Sequence, residues 1–264
     1  MRVSCGDGML RRVASRTLKR LRMWARTLRN PFRLAALQRQ RSLRLHLGCG
    51  DDRLPGYVNI DNRATPAVDV TMDLSLPRLA EGSVAFAFSN AFFEHLFRQS
   101  RGPHLKRIRR ALAADGACCY MGIPYFPNIA RLYVERGPGT AGEIFDLYNV
   151  YRYTHGDPEG QQAWWLGQLH KSLFDEQEVE ALLSQSGFGA YVMFCYGYPG
   201  DVHEVPVTMG FYATCEAAAP AELREECLSF LRQFADTRIR LATLEWLPAD
   251  RAPTRSRAEV KYGS

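Results

Sequence analysis

The feature that most constrains this chain is a glycine turn at the end of a strand. Leu43-Arg44-Leu45-His46-Leu47 alternates as a half-buried strand does and runs straight into Gly48-Cys49-Gly50. Glycines here remove the Cβ that would block a ligand from the backbone, and they permit positive φ. In an α/β sheet, such a turn lies at the C-terminal strand ends, where nucleotide-like ligands bind. A dinucleotide site would need a third glycine at position 53, and this chain has Arg53, so a pyrophosphate-binding motif is excluded. Only ten residues separate Gly50 from Asp61, too few for a full crossover helix.

The segments that follow repeat a strand-and-helix pattern. Short apolar runs at Tyr57–Ile60, Val68–Val70, Val84–Phe88 and Ala117–Ile123 read as strands. Leu105, Ile108 and Leu112 sit at helical spacing, with Asp115-Gly116 expected to end that helix. Phe174-Asp175 opens another helix, closed by Gly187. Tyr191–Tyr196 and Val205–Cys215 read as an antiparallel hairpin. The expected fold is α/β: a Rossmann-like, mostly parallel sheet ending in that hairpin. An N-terminal basic helical arm and a C-terminal amphipathic helix flank it.

Polar residues then recur where strands end. Asp61, followed by Asn62, closes the second strand, where a carboxylate can accept two ribose hydroxyls. Asp73, followed by Leu74, comes after the third, and Ser89-Asn90 end the fourth. One glycine turn and three polar strand ends suit an adenosine that carries no phosphates.

These residues carry a family resemblance. The stretches LHLGCG (45–50), PGYVNID (55–61), VTMDLS (70–75), SNAFFEHL (89–96), LKRIRRALAADG (105–116) and HKSLFDEQEVEALLSQSGF (170–188) occur in the order found in class I S-adenosylmethionine-dependent methyltransferases. The chain most resembles the bacterial predicted methyltransferases with a GCG…PGYVNID signature, which share the short first connection. The resemblance covers residues 43–215. It implies S-adenosyl-L-methionine as cofactor, with Gly48, Cys49 and Gly50 at its methionine part. Asp61 and Asn62 would face the ribose, Asp73 and Leu74 the adenine, and Asn90 the remaining edge.

The catalytic candidates are His95, just past the fourth strand, and His170, on the loop returning to the sheet. Either can act as a base toward an acceptor hydroxyl, and each also has a plain packing role open to it. Glu94-His95 resembles the pair that binds magnesium in some RNA and quinone O-methyltransferases. Those proteins carry another acid three residues earlier; here that position is Ala91, so no metal is expected.

The remaining segments bear on substrate and location. The domain is expected over 43–216, with an aromatic- and glycine-rich insertion at 125–169 reading as a lid over a small-molecule or glycan acceptor. Residues 217–264 are expected to form a helix over Ala221–Trp246, bent near Asp236-Thr237, and a polar tail.

Residues 1–44 hold 13 Lys and Arg against one acid, a net of +12, leaving −6 for the rest of a chain whose total is +6. The basic arm, residues 1–42, is patterned as an amphipathic helix, with Asn30-Pro31 breaking it before a second short helix at Phe32, Leu34 and Leu37. It suits an anionic membrane surface or a protein partner through residues 9–41, and it lacks the aromatic ladder of a nucleic-acid platform. Seven dispersed cysteines without a CxxC argue against a disulfide scaffold, and neither a secretory signal nor a spanning segment is visible. A cytoplasmic setting is the expectation, with the arm able to bring the protein to the inner membrane face. A non-catalytic adaptor with the same fold and an RNA methyltransferase are the alternatives.

Overall fold

The computed structural model describes residues 30–137, 145–157, 159, 163–199, 201 and 204–248. The first long helix of the arm lies outside them. Eight strands form one sheet: β1 Leu43–Leu47, β2 Val58–Asp61, β3 Val70–Thr71, β4 Val84–Asn90, β5 Leu112–Pro124, β6 Ala190–Gly197, β7 Thr208–Thr214 and β8 Arg240–Leu247. Their order is β3-β2-β1-β4-β5-β7-β6-β8. The first five pair in parallel, and β7, β6 and β8 are antiparallel. The expected parallel sheet with an antiparallel β6–β7 pair is therefore observed.

Strand alternation divides the core between two faces. Leu45, Leu47, Cys118, Tyr120, Met193 and Cys195 point to one face. There they meet helices α2 (Arg98–Ala111) and α5 (Glu176–Ser186) through Leu105, Ile108, Val179 and Leu183. Asp175 caps α5 by accepting from the Glu178 amide at 2.8 Å, and Gly187 closes it in the left-handed conformation. Phe88, Cys119, Val192 and Phe194 point to the other face. They are covered by α6 (Pro220–Leu231) and a following 3-10 turn, through Leu223, Cys227, Leu231 and Phe234.

The last element corrects an expectation. Helix is observed only as far as the 3-10 turn; the chain reverses at Asp236 (φ 57°) and returns as β8 alongside β6. β8 is an edge strand whose side chains are half-buried on both faces, so its apolar residues lose the alternation that marks a strand. The end of α2 also differs. Helix gives way to β5 at Leu112, and Gly116 lies inside that strand, where the register with β4 shifts. A Cβ at Gly116 would stand 2.9 Å from both the Ala113 nitrogen and the Val84 carbonyl oxygen, so the glycine serves this irregularity rather than a helix end.

A short helix, α1, covers 30–39 and lies along the sheet edge. Asn30 pairs with the Thr71 backbone in both directions, donating at 2.9 Å and accepting at 2.8 Å, and Arg33 donates to the Asp69 carbonyl at 2.7 Å. The side chain of Asn30 thus satisfies backbone groups that the edge strand β3 would otherwise leave open. Leu37 is buried and Leu34 packs beside it, whereas Phe32, expected on the same apolar face, is exposed.

Two helices of the insertion, α3 (Phe126–Arg136) and α4 (Leu147–His155), share a small core of Ile129, Leu132 and Phe145 with Val207. The six described cysteines are all buried and unpaired. Among the described residues, no helix is long and apolar enough to cross a membrane.

Candidate active site at the C-terminal strand ends

The strand order reverses at β1, whose neighbours are β2 and β4, and the crevice beyond such a point is where open α/β sheets bind ligands. Register aligns the candidates there. Leu47 stands opposite Ile60 on one side and Ser89 on the other, so Gly48, Asp61 and Asn90 fall at one level on three adjacent strands. Asp61 pairs with Thr71, which puts Asp73 two residues past the end of β3. With strands about 4.8 Å apart, the row from Asn90 to β3 spans roughly 14 Å, the scale of an extended nucleoside with an amino-acid substituent.

The glycine turn takes up positive φ at Gly48 (68°) and Gly50 (56°). A Cβ on Gly48 would lie 2.5 Å from Phe92, so this glycine serves the close approach of that ring. A Cβ on Gly50 would meet only the tip of the Arg63 guanidinium, at 3.3 Å. The Gly50 backbone is itself engaged, its amide donating to Asp61 at 2.8 Å and its carbonyl accepting from the Thr65 hydroxyl at 2.6 Å. Gly48 and Cys49 both donate to the Ile60 carbonyl, and the Cys49 carbonyl accepts from Asp52. Burial pushes the Cys49 thiol up to about 12. Both backbone polar groups of Cys49 are paired, with Ile60 and Asp52.

Asp61 is buried at the end of β2. One carboxylate oxygen accepts from the Gly50 amide and the other from the Arg63 amide, each at 2.8 Å. The Arg63 guanidinium also stands 3.5 Å from the second oxygen, while the first keeps a lone pair that can accept from a ligand hydroxyl. Asn62 and Asp73 are exposed. One oxygen of Asp73 accepts from both the amide and the hydroxyl of Ser75. Leu74 is buried in the core, and its carbonyl accepts from His104 Nδ1 at 2.5 Å. Asn90 accepts from the Tyr198 hydroxyl at 3.0 Å. These groups fit an adenosine: a carboxylate beside a glycine turn, and polar groups at both ends of the row. A hollow of about 520 Å³ by Arg44 and Phe86 lies at the opposite strand ends, away from this row.

Three residues that the sequence did not single out hold this half together. His104, fully buried on α2, donates to Leu74 and accepts from the Tyr120 hydroxyl at 2.7 Å, which settles its neutral tautomer. Burial pushes it down to about 4. Asn59 is fully buried and binds both backbone groups of Leu54, the Tyr57 carbonyl and the Asp69 carboxylate. It pins the short β1–β2 connection that has no crossover helix. Arg238, before β8, reaches Asp52 in the same connection and lies over the Phe88 and Phe234 rings. Arg53, in the place of a third glycine, bridges to Asp69 at 2.8 Å. The Asn in PGYVNID was the available signal for the Asn59 tie.

The other half of the rim is built past β4. Phe93–His95 form a 3-10 turn that buries Glu94, and the 169–171 loop docks on it. Lys171 donates its amide to the Glu94 carbonyl at 2.8 Å, and His170 donates its amide to the His155 carbonyl of α4 at 2.9 Å. The structure therefore brings the two expected histidines together, with ring centroids 5.2 Å apart in an edge-on arrangement. His95 Nε2 lies 3.5 Å from Glu94 Oε1, and its Nδ1 is 3.4 Å from the Leu169 carbonyl. Burial pushes Glu94 up to about 8 and lowers His95. Burial, then the neighbouring His95, push His170 down to about 4. Both imidazoles are therefore neutral at pH 7, and His170 is a weak base.

No protein-family model matches the chain, and no curated protein matches it. Similar solved structures include an S-adenosylmethionine-dependent methyltransferase from Mesorhizobium loti, 18% identical, covering 69% of this chain and 95% of that one at a TM-score of 0.43. Another, from Archaeoglobus fulgidus, is 12% identical over 73% and 93%, with a TM-score of 0.44. The 1,6-didemethyltoxoflavin-N1-methyltransferase of Burkholderia thailandensis is 15% identical over 70% and 77%, with a TM-score of 0.42. The class I methyltransferase fold is visible in the chain's own strand order, with β7 inserted antiparallel between β5 and β6.

Proposed function

We propose that this protein is an S-adenosylmethionine-dependent methyltransferase acting on a hydroxyl of a small molecule or glycan. The observation that carries the reading is the alignment of Gly48, Asp61 and Asn90 at one level across the reversal point of the sheet. In this reading the Gly48-Cys49-Gly50 turn borders the methionine part, Asp61 accepts from the ribose with Asn62 beside it, and Asp73 borders the adenine. Asn90, oriented by Tyr198, closes the other end of the row. The cofactor, when bound, supplies an electrophilic methyl group on a sulfonium.

The chain's own residues then align the acceptor and exclude water. The end of helix α4, in the insertion, is joined to the Glu94, His95 and His170 half of the rim by the His170–His155 bond, and in this reading the insertion acts as a lid. That cluster is where the hydroxyl proton leaves. A hydroxyl acceptor needs such help, because its proton must go as the oxygen attacks. The test is transfer of isotope-labelled methyl from the cofactor to a panel of phenols, sugars and small alcohols. Transfer to oxygen that falls in His95→Ala supports the reading. Cofactor binding with no transfer across the panel, or transfer indifferent to His95, counts against it.

A further inference from the structure

Glu94, His95 and His170 place one carboxylate oxygen and two imidazole nitrogens within 4.8 Å of one another. We propose that these three side chains bind a divalent transition-metal ion, with zinc the ion that their donor set suits best. The sequence argued against a metal because Ala91 leaves Glu94 and His95 short of a ligand; the third donor comes instead from His170, on the far side of the lid.

Unmet polar groups are the first support. Glu94 Oε2 and His170 Nδ1 are buried with no hydrogen-bond partner among the described residues, and Glu94 itself is only 1% exposed. Leaving such groups unpaired is costly, and a native structure tolerates it where something else satisfies them. The Glu94–His95 separation of 3.5 Å is too long for a good hydrogen bond, so the pair does not satisfy itself. Lys171 does not neutralise the carboxylate either, since its ammonium is held by the Leu169 carbonyl at 2.7 Å.

Ligand presentation is the second. His95 turns Nδ1 toward the Leu169 carbonyl, which leaves Nε2 facing Glu94 as a lone-pair donor. A metal-bound imidazole is ordinarily held in this way, with its other nitrogen on a backbone carbonyl. The backbones of Glu94 and His170 are each fixed by a main-chain bond, so the donors sit on ordered supports. Ligands of a tetrahedral zinc lie about 3.4 Å apart, so side chains within 4.8 Å of one another need to close by at most about 1.4 Å.

Donor chemistry is the third. Two neutral imidazoles and one carboxylate favour zinc or a neighbouring transition ion over magnesium, which takes oxygen ligands. Three protein ligands leave a fourth position open to an oxygen from solvent or substrate. That this position takes the acceptor hydroxyl rests on the methyltransferase reading; the site itself does not.

The experiment uses the full chain, freed of metal by a chelator and titrated with Co²⁺, then with Zn²⁺ in competition. One Co²⁺ per chain is expected, with the visible absorption of a four- or five-coordinate site, displaced by zinc. Glu94→Gln keeps the shape of the side chain and is expected to weaken binding by more than about 100-fold, beyond the effect of an outer-shell change. His170→Asn, on a loop, gives a second variant should the first fail to fold. No saturable binding, or equal binding by wild type and the folded variants, overturns the proposal. S-adenosylhomocysteine is titrated into the same preparations. Cobalt binding without it would leave the metal site standing and sink the methyltransferase reading, and the reverse pattern would do the opposite.

Discussion

The two halves of the strand-end rim are built on opposite terms. In the cofactor half, from the glycine turn to Asp73, polar groups are paired with one another: Asp61 with two amides, Asn59 with Leu54 and Asp69, His104 with Leu74 and Tyr120. In the other half, Glu94 Oε2 and His170 Nδ1 are buried atoms with no hydrogen-bond partner among the described residues. The first half is a finished structure whose ligand adds to groups already in place. The second stores unmet bonding capacity at the point where chemistry would occur, at a cost in stability.

Substitutions should therefore move stability in opposite directions in the two halves. The largest effect is expected from Asn59→Ala, which unpins the β1–β2 connection and leaves Leu54 and Asp69 groups without their partner. A loss of about 4 kcal/mol, read by urea unfolding, is expected. A loss below 1 kcal/mol would show that the short connection is held by other means, such as Arg238.

Next comes the pH dependence of His104. Its folded value of about 4 lies below the ordinary 6.5, so the unfolded chain takes up the proton first as pH falls. Its contribution is fully present above pH 6.5 and is lost between 6.5 and 4, a change of roughly 3 kcal/mol. His104→Gln should be less stable at neutral pH yet flatter across that window by this amount. Parallel curves would remove His104 as the buried support of the adenine end.

The smallest effect, and the one opposite in sign, concerns Glu94→Gln in chelator-treated protein. At pH 9, above the value of about 8 to which burial pushes Glu94, removing this uncompensated buried carboxylate should leave stability unchanged or raise it by about 1–2 kcal/mol. A loss of that size would mean the two halves are built alike.

The halves also differed in how far they could be read from sequence. The cofactor half is coded locally: a strand into Gly48-Cys49-Gly50, and acids at strand ends within some 25 residues, each recognisable by type and position. The α/β sheet followed from the same short-range patterns. The other half joins Glu94 and His95 to a histidine 75 positions after His95, across the insertion, through backbone bonds that no residue type announces. β8 was hidden for a related reason. Leu241 and Leu244 follow helical spacing, and only pairing with β6 makes them a strand. The C-terminal segment proves to have a structural role: α6 and the turn after it cover the face above Phe88, while Arg238 ties down the short connection.

The central claim is that the row from Asn90 to Asp73 is an S-adenosylmethionine site, and calorimetric titration with S-adenosylhomocysteine tests it most directly. Wild type should bind one equivalent, and Asp61→Ala, confirmed as folded, should bind at least tenfold more weakly, as expected for loss of hydrogen bonds to a charged group worth about 1.5–3 kcal/mol. Absence of binding by the wild type, or equal binding by both proteins, would contradict the account.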